Sequence, residues 1–187
     1  MNNVLERLLE GNRRFSLGQA VRPDSDIARR QQIAGAQKPF ALILSCSDSR
    51  VPPEIVFDCG LGDLFVIRTA GHTVDNAVRE SVLFGIQALR IPLVLVLGHA
   101  RCGAVSLAIQ AKQSGASHDE PSWVAAQIAP AVEECKNAAN PLDCAIRTHA
   151  NMTVGRLKDL LMPVADSVPV LGAYYDLDTG VVELLNT

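Results

Sequence analysis

Apolar and polar residues follow one another along this chain in a pattern that predicts strands interleaved with helices. Three short apolar runs each end at a polar cluster, as buried strands do. These predicted strands span 40–45, 63–69 and 92–98. Segment 168–185 predicts a closing hairpin, with Asp178-Thr179-Gly180 at its turn.

Helical spacing of apolar residues fills the remaining stretches. The predicted helices span 4–15, 24–35, 74–90, 103–113, 122–138 and 141–161. Alternating strands and helices predict an α/β fold, in which a mainly parallel central sheet carries helices on both faces and an antiparallel edge strand. We expect a single domain over 1–187, with an N-terminal helical arm at 1–36 and an α/β core at 37–187.

Composition and charge exclude several classes of protein. The 187 residues are 48% hydrophobic and 20% charged, and the net charge of -3 gives no support to a nucleic-acid partner. The N-terminal stretch MNNVLERLLEGNRRF carries charges throughout and does not resemble a signal peptide. No apolar run reaches bilayer length. The chain is therefore predicted to be cytoplasmic, without a membrane partner.

Five cysteines are present, and an odd number without a secretory signal argues against a disulfide framework. Cys59, Cys135 and Cys144 have no chemically suggestive neighbours, so we expect all three to be buried structural residues. Cys46 and Cys102 differ, because each lies in a polar cluster that follows a predicted strand.

Those two clusters, SCSDSR and GHARCG, place Cys46, Asp48, His99 and Cys102 beyond the carboxyl ends of two strands. Sites in such folds gather at this edge of the sheet. Two thiolates and an imidazole suit zinc, and the fourth position is left to Asp48 or to water. Arg50 is the natural ion-pair partner of Asp48, and holding the carboxylate there would leave the fourth position open, as in catalytic zinc sites.

The stretches CSDSRVPPEIVFDCGLGDLFVIRTAGH (46–72) and LGHARCGA (97–104) resemble the β-class carbonic anhydrases. The resemblance extends over most of residues 1–110. It implies one Zn²⁺ per chain, bound by Cys46, His99 and Cys102, and the reversible hydration of carbon dioxide to bicarbonate and a proton. Zinc-bound hydroxide would attack the carbon while an Asp48–Arg50 dyad orients it. In a closed state Asp48 would become the fourth ligand.

The resemblance also implies a substrate pocket. Gln37 matches a glutamine that hydrogen-bonds the substrate, and we favour this role over the alternative of a solvated loop glutamine. Phe65, Ala70 and Phe84 match apolar pocket positions that lie partly across a dimer interface, and phenylalanines in such patterns are also common core residues. Gly103 matches a glycine whose backbone N–H faces the substrate.

Other polar positions carry weaker predictions. Some family members have an inhibitory bicarbonate site with a tryptophan where this chain has Ile43; Arg68 matches its arginine, and we predict that the site is absent. We expect His72 to lie beside the metal ligands or at an interface. His118 lies in a predicted loop, and His149 falls in a helical pattern typical of a structural residue.

The N-terminal helices have apolar stripes without a clear place on the sheet. The resemblance implies that they pack on a partner, so we expect a homodimer or homotetramer. Two alternative functions stay open. One is a carbonyl sulfide or carbon disulfide hydrolase on the same scaffold; the other is a non-catalytic zinc or thiol sensor, which would not need Asp48, Arg50 or Gln37.

Overall fold

The computed structural model describes residues 2–113, 122–165 and 167–186, and within these ranges five strands form a single sheet. The strands are β1 (Ala41–Cys46), β2 (Leu64–Thr69), β3 (Val94–His99), β4 (Val170–Tyr175) and β5 (Val182–Leu184). The helices are α1 (Asn2–Ser16), α2 (Ile27–Ile33), α3 (Pro53–Val56), α4 (Asn76–Gln87), α5 (Gly103–Gln113), α6 (Trp123–Glu134) and α7 (Pro141–Ala165). A short 3₁₀ turn spans Ala70–His72.

The strand order is β2-β1-β3-β4-β5. The first four strands pair in parallel, and β5 pairs antiparallel with β4, which confirms the predicted α/β fold class. Because β1 pairs with β2 on one side and β3 on the other, the chain reverses its direction of travel across the sheet at β1. Ligand sites form at the carboxyl ends of strands beside such a reversal.

Alternate residues of β1 supply two separate cores. Leu42 and Leu44 pack on one face with residues of α4 and α7, whereas Ala41 and Ile43 pack on the other face with residues of α1 and α3. All six residues of β1 are buried, as expected for a parallel strand covered on both sides. A continuous apolar run is therefore typical of this strand, which lies in the interior of the sheet between β2 and β3.

Helix α1 packs on the core of its own chain, whereas we expected the N-terminal helices to have no clear place on the sheet and to pack on a partner. Leu8 is fully buried in the core, and the Asn12 side chain bonds backbone groups of Val56, Gly180 and Val182. Helix α2 buries no residue, so its packing on a partner stays a prediction.

Two further details differ from the sequence prediction. The short helix α3 was not predicted, because four residues are too few to show helical periodicity. Helix α4 begins at Asn76 rather than at residue 74, because Asp75 caps it: the Asp75 carboxylate accepts a hydrogen bond from the Val78 amide at 2.8 Å. Among the described residues, no helix combines the length and the apolar character needed to cross a bilayer.

The argument against a disulfide framework does not hold for Cys135 and Cys144: these two cysteines, which we expected to be structural, form a disulfide. Cys135 caps the end of α6, and Cys144 lies in the first turn of α7. The tight connection between these helices brings the two Cα atoms to 5.7 Å, within the range that a disulfide spans. Periodicity identified both helices but contained no information on their mutual approach.

Candidate active site

The carboxyl ends of β1 and β3 bring three metal-ligating side chains together. Cys46 is the last residue of β1, His99 is the last residue of β3, and Cys102 directly precedes α5. One ligand atom from each lies within 4.8 Å of the other two, and the two sulfurs are 3.9 Å apart. Adjacent parallel strands therefore bring these three side chains together, as the sequence pattern predicts.

The tautomer of His99 is set by its own backbone neighbourhood. Its Nδ1 lies 2.9 Å from the carbonyl oxygen of Ala100, and because a carbonyl only accepts, Nδ1 carries the proton. The lone pair is thus on Nε2, which is buried without a hydrogen-bond partner among the described residues. A metal-ligating histidine is typically oriented in this way.

The two thiols are joined by a hydrogen bond through the proton of one of them. The pKa of Cys46 is lowered and that of Cys102 is raised, in each case first by the hydrogen bond between their sulfurs. The backbone amides of Ala104 and Val105, at the start of α5, act in the opposite direction on Cys102 and favour its thiolate. Both sulfurs would be deprotonated when a cation takes the place of that proton.

The donor set fits zinc. Two sulfurs and one imidazole nitrogen are its preferred ligands, and three protein ligands leave one position for water or substrate, as catalytic zinc sites do. The unpartnered, buried Nε2 of His99 is the structural observation that supports a metal, because an orphaned polar atom costs free energy unless something binds it. Hard, oxygen-preferring ions fit these donors poorly.

Asp48 lies beside the ligands and is held by Arg50. The guanidinium donates from Nε to Oδ1 at 2.9 Å and from Nη2 to Oδ2 at 2.7 Å. These hydrogen bonds hold the pKa of Asp48 far below its usual range. Oδ2 lies 3.9 Å from Nε2 of His99, so an ionised acceptor faces the metal position. The closed state with Asp48 as a ligand stays a prediction.

Arg68 has a role that the sequence interpretation missed. Its guanidinium donates to the carbonyl oxygens of Cys46 and Asp48, at 3.0 and 2.6 Å, and so fixes the backbone that carries a ligand and the carboxylate. Arg68 reaches these carbonyl groups because it stands opposite Ser45 in the register of β2 and β1, and the sequence pattern does not set that register.

Gly71 and His149 are further residues that sequence reasoning did not connect to the site. The Gly71 amide donates to the Cys46 sulfur at 3.3 Å, and its carbonyl accepts from Nε2 of His149 at 2.9 Å. The rings of His149 and His72 lie 4.7 Å apart, and both side chains are fully buried. His118 lies outside the described residues.

The residues expected to bind substrate lie at the surface of the protein or are only partly buried. Phe65 on β2 and Phe84 on α4 face each other with ring centroids 6.2 Å apart, and Phe84 is half exposed. Ala70 and Gly103 are exposed next to the ligand-bearing turns, and Gln37 is exposed in the loop before β1. Their contacts with substrate stay predictions.

Known proteins share both this sequence and this fold. A family model described as carbonic anhydrase matches residues 41–182. A carbonic anhydrase of Mycolicibacterium smegmatis is 38% identical over 95% of this chain and 89% of its own. A Coccomyxa β-carbonic anhydrase in complex with acetazolamide is 27% identical with a TM-score of 0.67, over 97% of this chain and 86% of its own.

The fold alone is shared with a β-carbonic anhydrase of Sordaria macrospora, one of two described as tetrameric. It has a TM-score of 0.69 at 20% identity, over 99% of this chain and 98% of its own. The matched family model, the relative at 38% identity and the converging Cys46, His99 and Cys102 agree with one another. The chain belongs to the β-class carbonic anhydrases.

Proposed function

We propose that this chain hydrates carbon dioxide reversibly to bicarbonate and a proton, with one zinc ion held by Cys46, His99 and Cys102. The observation that carries the proposal is the buried convergence of these three ligand atoms beside the Asp48–Arg50 pair. Zinc bound there would supply a Lewis acid that activates water as a nucleophile at neutral pH.

Asp48 orients that nucleophile. Its carboxylate is ionised because Arg50 lowers its pKa, so it accepts a hydrogen bond and does not donate one. An oriented O–H leaves an oxygen lone pair free to attack the carbon. Arg68 keeps the Asp48 backbone in place through its carbonyl oxygen. These residues therefore position the reactants, and none of them forms a covalent bond.

The substrate pocket and the assembly belong to the same proposal. Phe65, Ala70 and Phe84 would form an apolar surface for carbon dioxide, with Gln37 and the Gly103 amide as its polar groups.

Half-exposed Phe84 and the unpaired edge of β2 support a covering partner, as does the tetrameric relative. We propose a homodimer or homotetramer, which light scattering tests; a cytoplasmic location stays a prediction.

Stopped-flow hydration of carbon dioxide, followed with a pH indicator, tests the activity. Zinc-replete protein should turn over substrate, and Asp48→Asn should lower kcat by roughly 10- to 100-fold with zinc still bound. Asp159→Asn makes the same chemical change at an exposed carboxylate of α7 and should leave kcat unchanged. Zinc-replete wild type without turnover would refute the function, and full activity of Asp48→Asn would refute the role of Asp48.

Two competing functions give different results in the same preparation. Faster turnover of carbonyl sulfide or carbon disulfide than of carbon dioxide would assign the chain to hydrolase chemistry on this scaffold. Bound zinc without turnover of any of these substrates would favour a sensor. The bidentate Asp48–Arg50 pair argues against the sensor, because a thiol switch requires no oriented carboxylate beside its sulfurs.

A further inference from the structure

A single residue, Gly71, connects the metal ligand Cys46 to the long helix α7. The Gly71 amide donates to the Cys46 sulfur at 3.3 Å, and the carbonyl of the same residue accepts from His149 at 2.9 Å. Gly71 and His149 are both buried, so water does not compete for either hydrogen bond. The position of His149 is therefore transmitted to the sulfur through a single residue.

The backbone at Gly71 needs such an anchor. Gly71 and His72 both adopt left-handed conformations, with φ of 63° and 45°, and the second of these is uncommon for a residue with a side chain. Strained backbone of this kind persists only where its surroundings hold it. A Cβ at Gly71 would lie 3.0 Å from the side chains of Ala104 and Ile128, so a bulkier residue there would both strain the backbone and displace these neighbours.

The chemistry of the bond identifies its donor. A carbonyl oxygen only accepts, so Nε2 of His149 carries the proton and Nδ1 is the bare nitrogen. Nδ1 is buried and has no partner among the described residues. Burying Nδ1 without a partner costs free energy. The hydrogen bond from Nε2 to Gly71 is what this buried histidine provides in return.

We propose that His149 is a positioning residue of the metal centre: by holding the Gly71 carbonyl, it directs the Gly71 amide at the Cys46 sulfur. A hydrogen bond to a thiolate withdraws electron density from sulfur, and groups around a ligand tune the metal in this way. His149 acts only through Gly71 and touches neither metal nor substrate. The inference rests on the proposed function in that it takes the bound metal to be zinc or its cobalt substitute.

Cobalt-substituted protein provides a readout that a purely structural role would not change. The sulfur-to-cobalt charge-transfer band should move to longer wavelength in His149→Leu, because a thiolate that has lost its hydrogen bond gives up an electron more easily. His149→Gln, which places an amide N–H near the position of Nε2, should restore the wild-type band. Thr153→Val is the matched control, since Thr153 is fully buried on α7 and its hydroxyl has no partner among the described residues.

A band that is unchanged in cobalt-loaded His149→Leu would overturn the proposal, and so would an equal shift in Thr153→Val. A second measurement needs no folded variant: nitrogen NMR of zinc-loaded wild type should find His149 protonated at Nε2. Protonation at Nδ1 instead would overturn the inference. Carbon dioxide turnover is measured separately, so an inactive enzyme with the expected spectra would refute the proposed function alone.

Discussion

Asn12 fastens α1 to the core of its own chain, and replacing it should lower the stability of the protein considerably. Its Nδ2 donates to the carbonyl oxygens of Val56 and Gly180 at 3.1 and 2.8 Å. Its Oδ1 accepts from the amide of Val182 at 2.8 Å. Asn12 is only 3% exposed, so a substitution takes this partner from three backbone groups, two of which are in buried hydrogen bonds.

Asn12→Leu keeps the approximate volume and removes all three bonds. A net contribution of about 1 kcal/mol for each gives a loss of about 3 kcal/mol in the free energy of unfolding. The stranded backbone groups add to this loss, and burial of the leucine side chain offsets that addition in part. Since domains are stable by only about 5–15 kcal/mol, the change should be large in any assay.

Urea unfolding followed by circular dichroism, with zinc present, measures the effect. Asn3→Leu, at an exposed position of α1, is the matched control and should change stability by less than about 0.5 kcal/mol. The difference between the two variants should not depend on protein concentration, because all three partners of Asn12 belong to its own chain. Equal stability of the two variants, or a difference that grows on dilution, would refute the docking of α1 described above.

Two further predictions concern the disulfide and the buried histidine. Cys135→Ser should lower the free energy of unfolding by about 2.5 kcal/mol, because the disulfide closes a short loop in the unfolded chain. Thermal melts of this variant and of Cys59→Ser, the control at a free thiol, measure the effect. Equal melting temperatures of the two variants would contradict the prediction. Burial lowers the pKa of His149 from 6.5 to about 4, so the unfolded chain binds a proton at a higher pH than the folded protein does. The free energy of unfolding should therefore fall as pH drops from 6.5 to 4, by about 3 kcal/mol more in wild type than in His149→Gln. Urea unfolding at several pH values measures this. The same dependence of the free energy of unfolding on pH in both proteins would contradict the prediction.

The sequence was most informative where one physical rule determines both pattern and position. Buried parallel strands require continuous apolar runs, so such runs alone were enough to predict β1 and β3. The residues that follow such strands must meet at one edge of the sheet, and this rule placed Cys46, His99 and Cys102 together. The Asp48–Arg50 pair followed from their separation of two residues.

Contacts between distant segments were not predictable from the pattern. Periodicity indicates which face of α1 is apolar, but not that Asn12 bonds residues 44 and 168 positions away. The Cys135–Cys144 disulfide depends on how two helices meet, which no single helix encodes. His149 has the spacing of an ordinary core residue, and only the fold places it on the carbonyl of Gly71.

Zinc X-ray absorption on the purified, zinc-loaded protein tests the central claim most directly. We expect one zinc per chain, with two sulfur neighbours at about 2.3 Å and one imidazole nitrogen at about 2.0 Å. Cys102→Ser should lose one of the sulfur neighbours, whereas Cys59→Ser should retain both. A folded wild-type protein that binds no zinc, or zinc with fewer than two sulfur neighbours, would contradict the account.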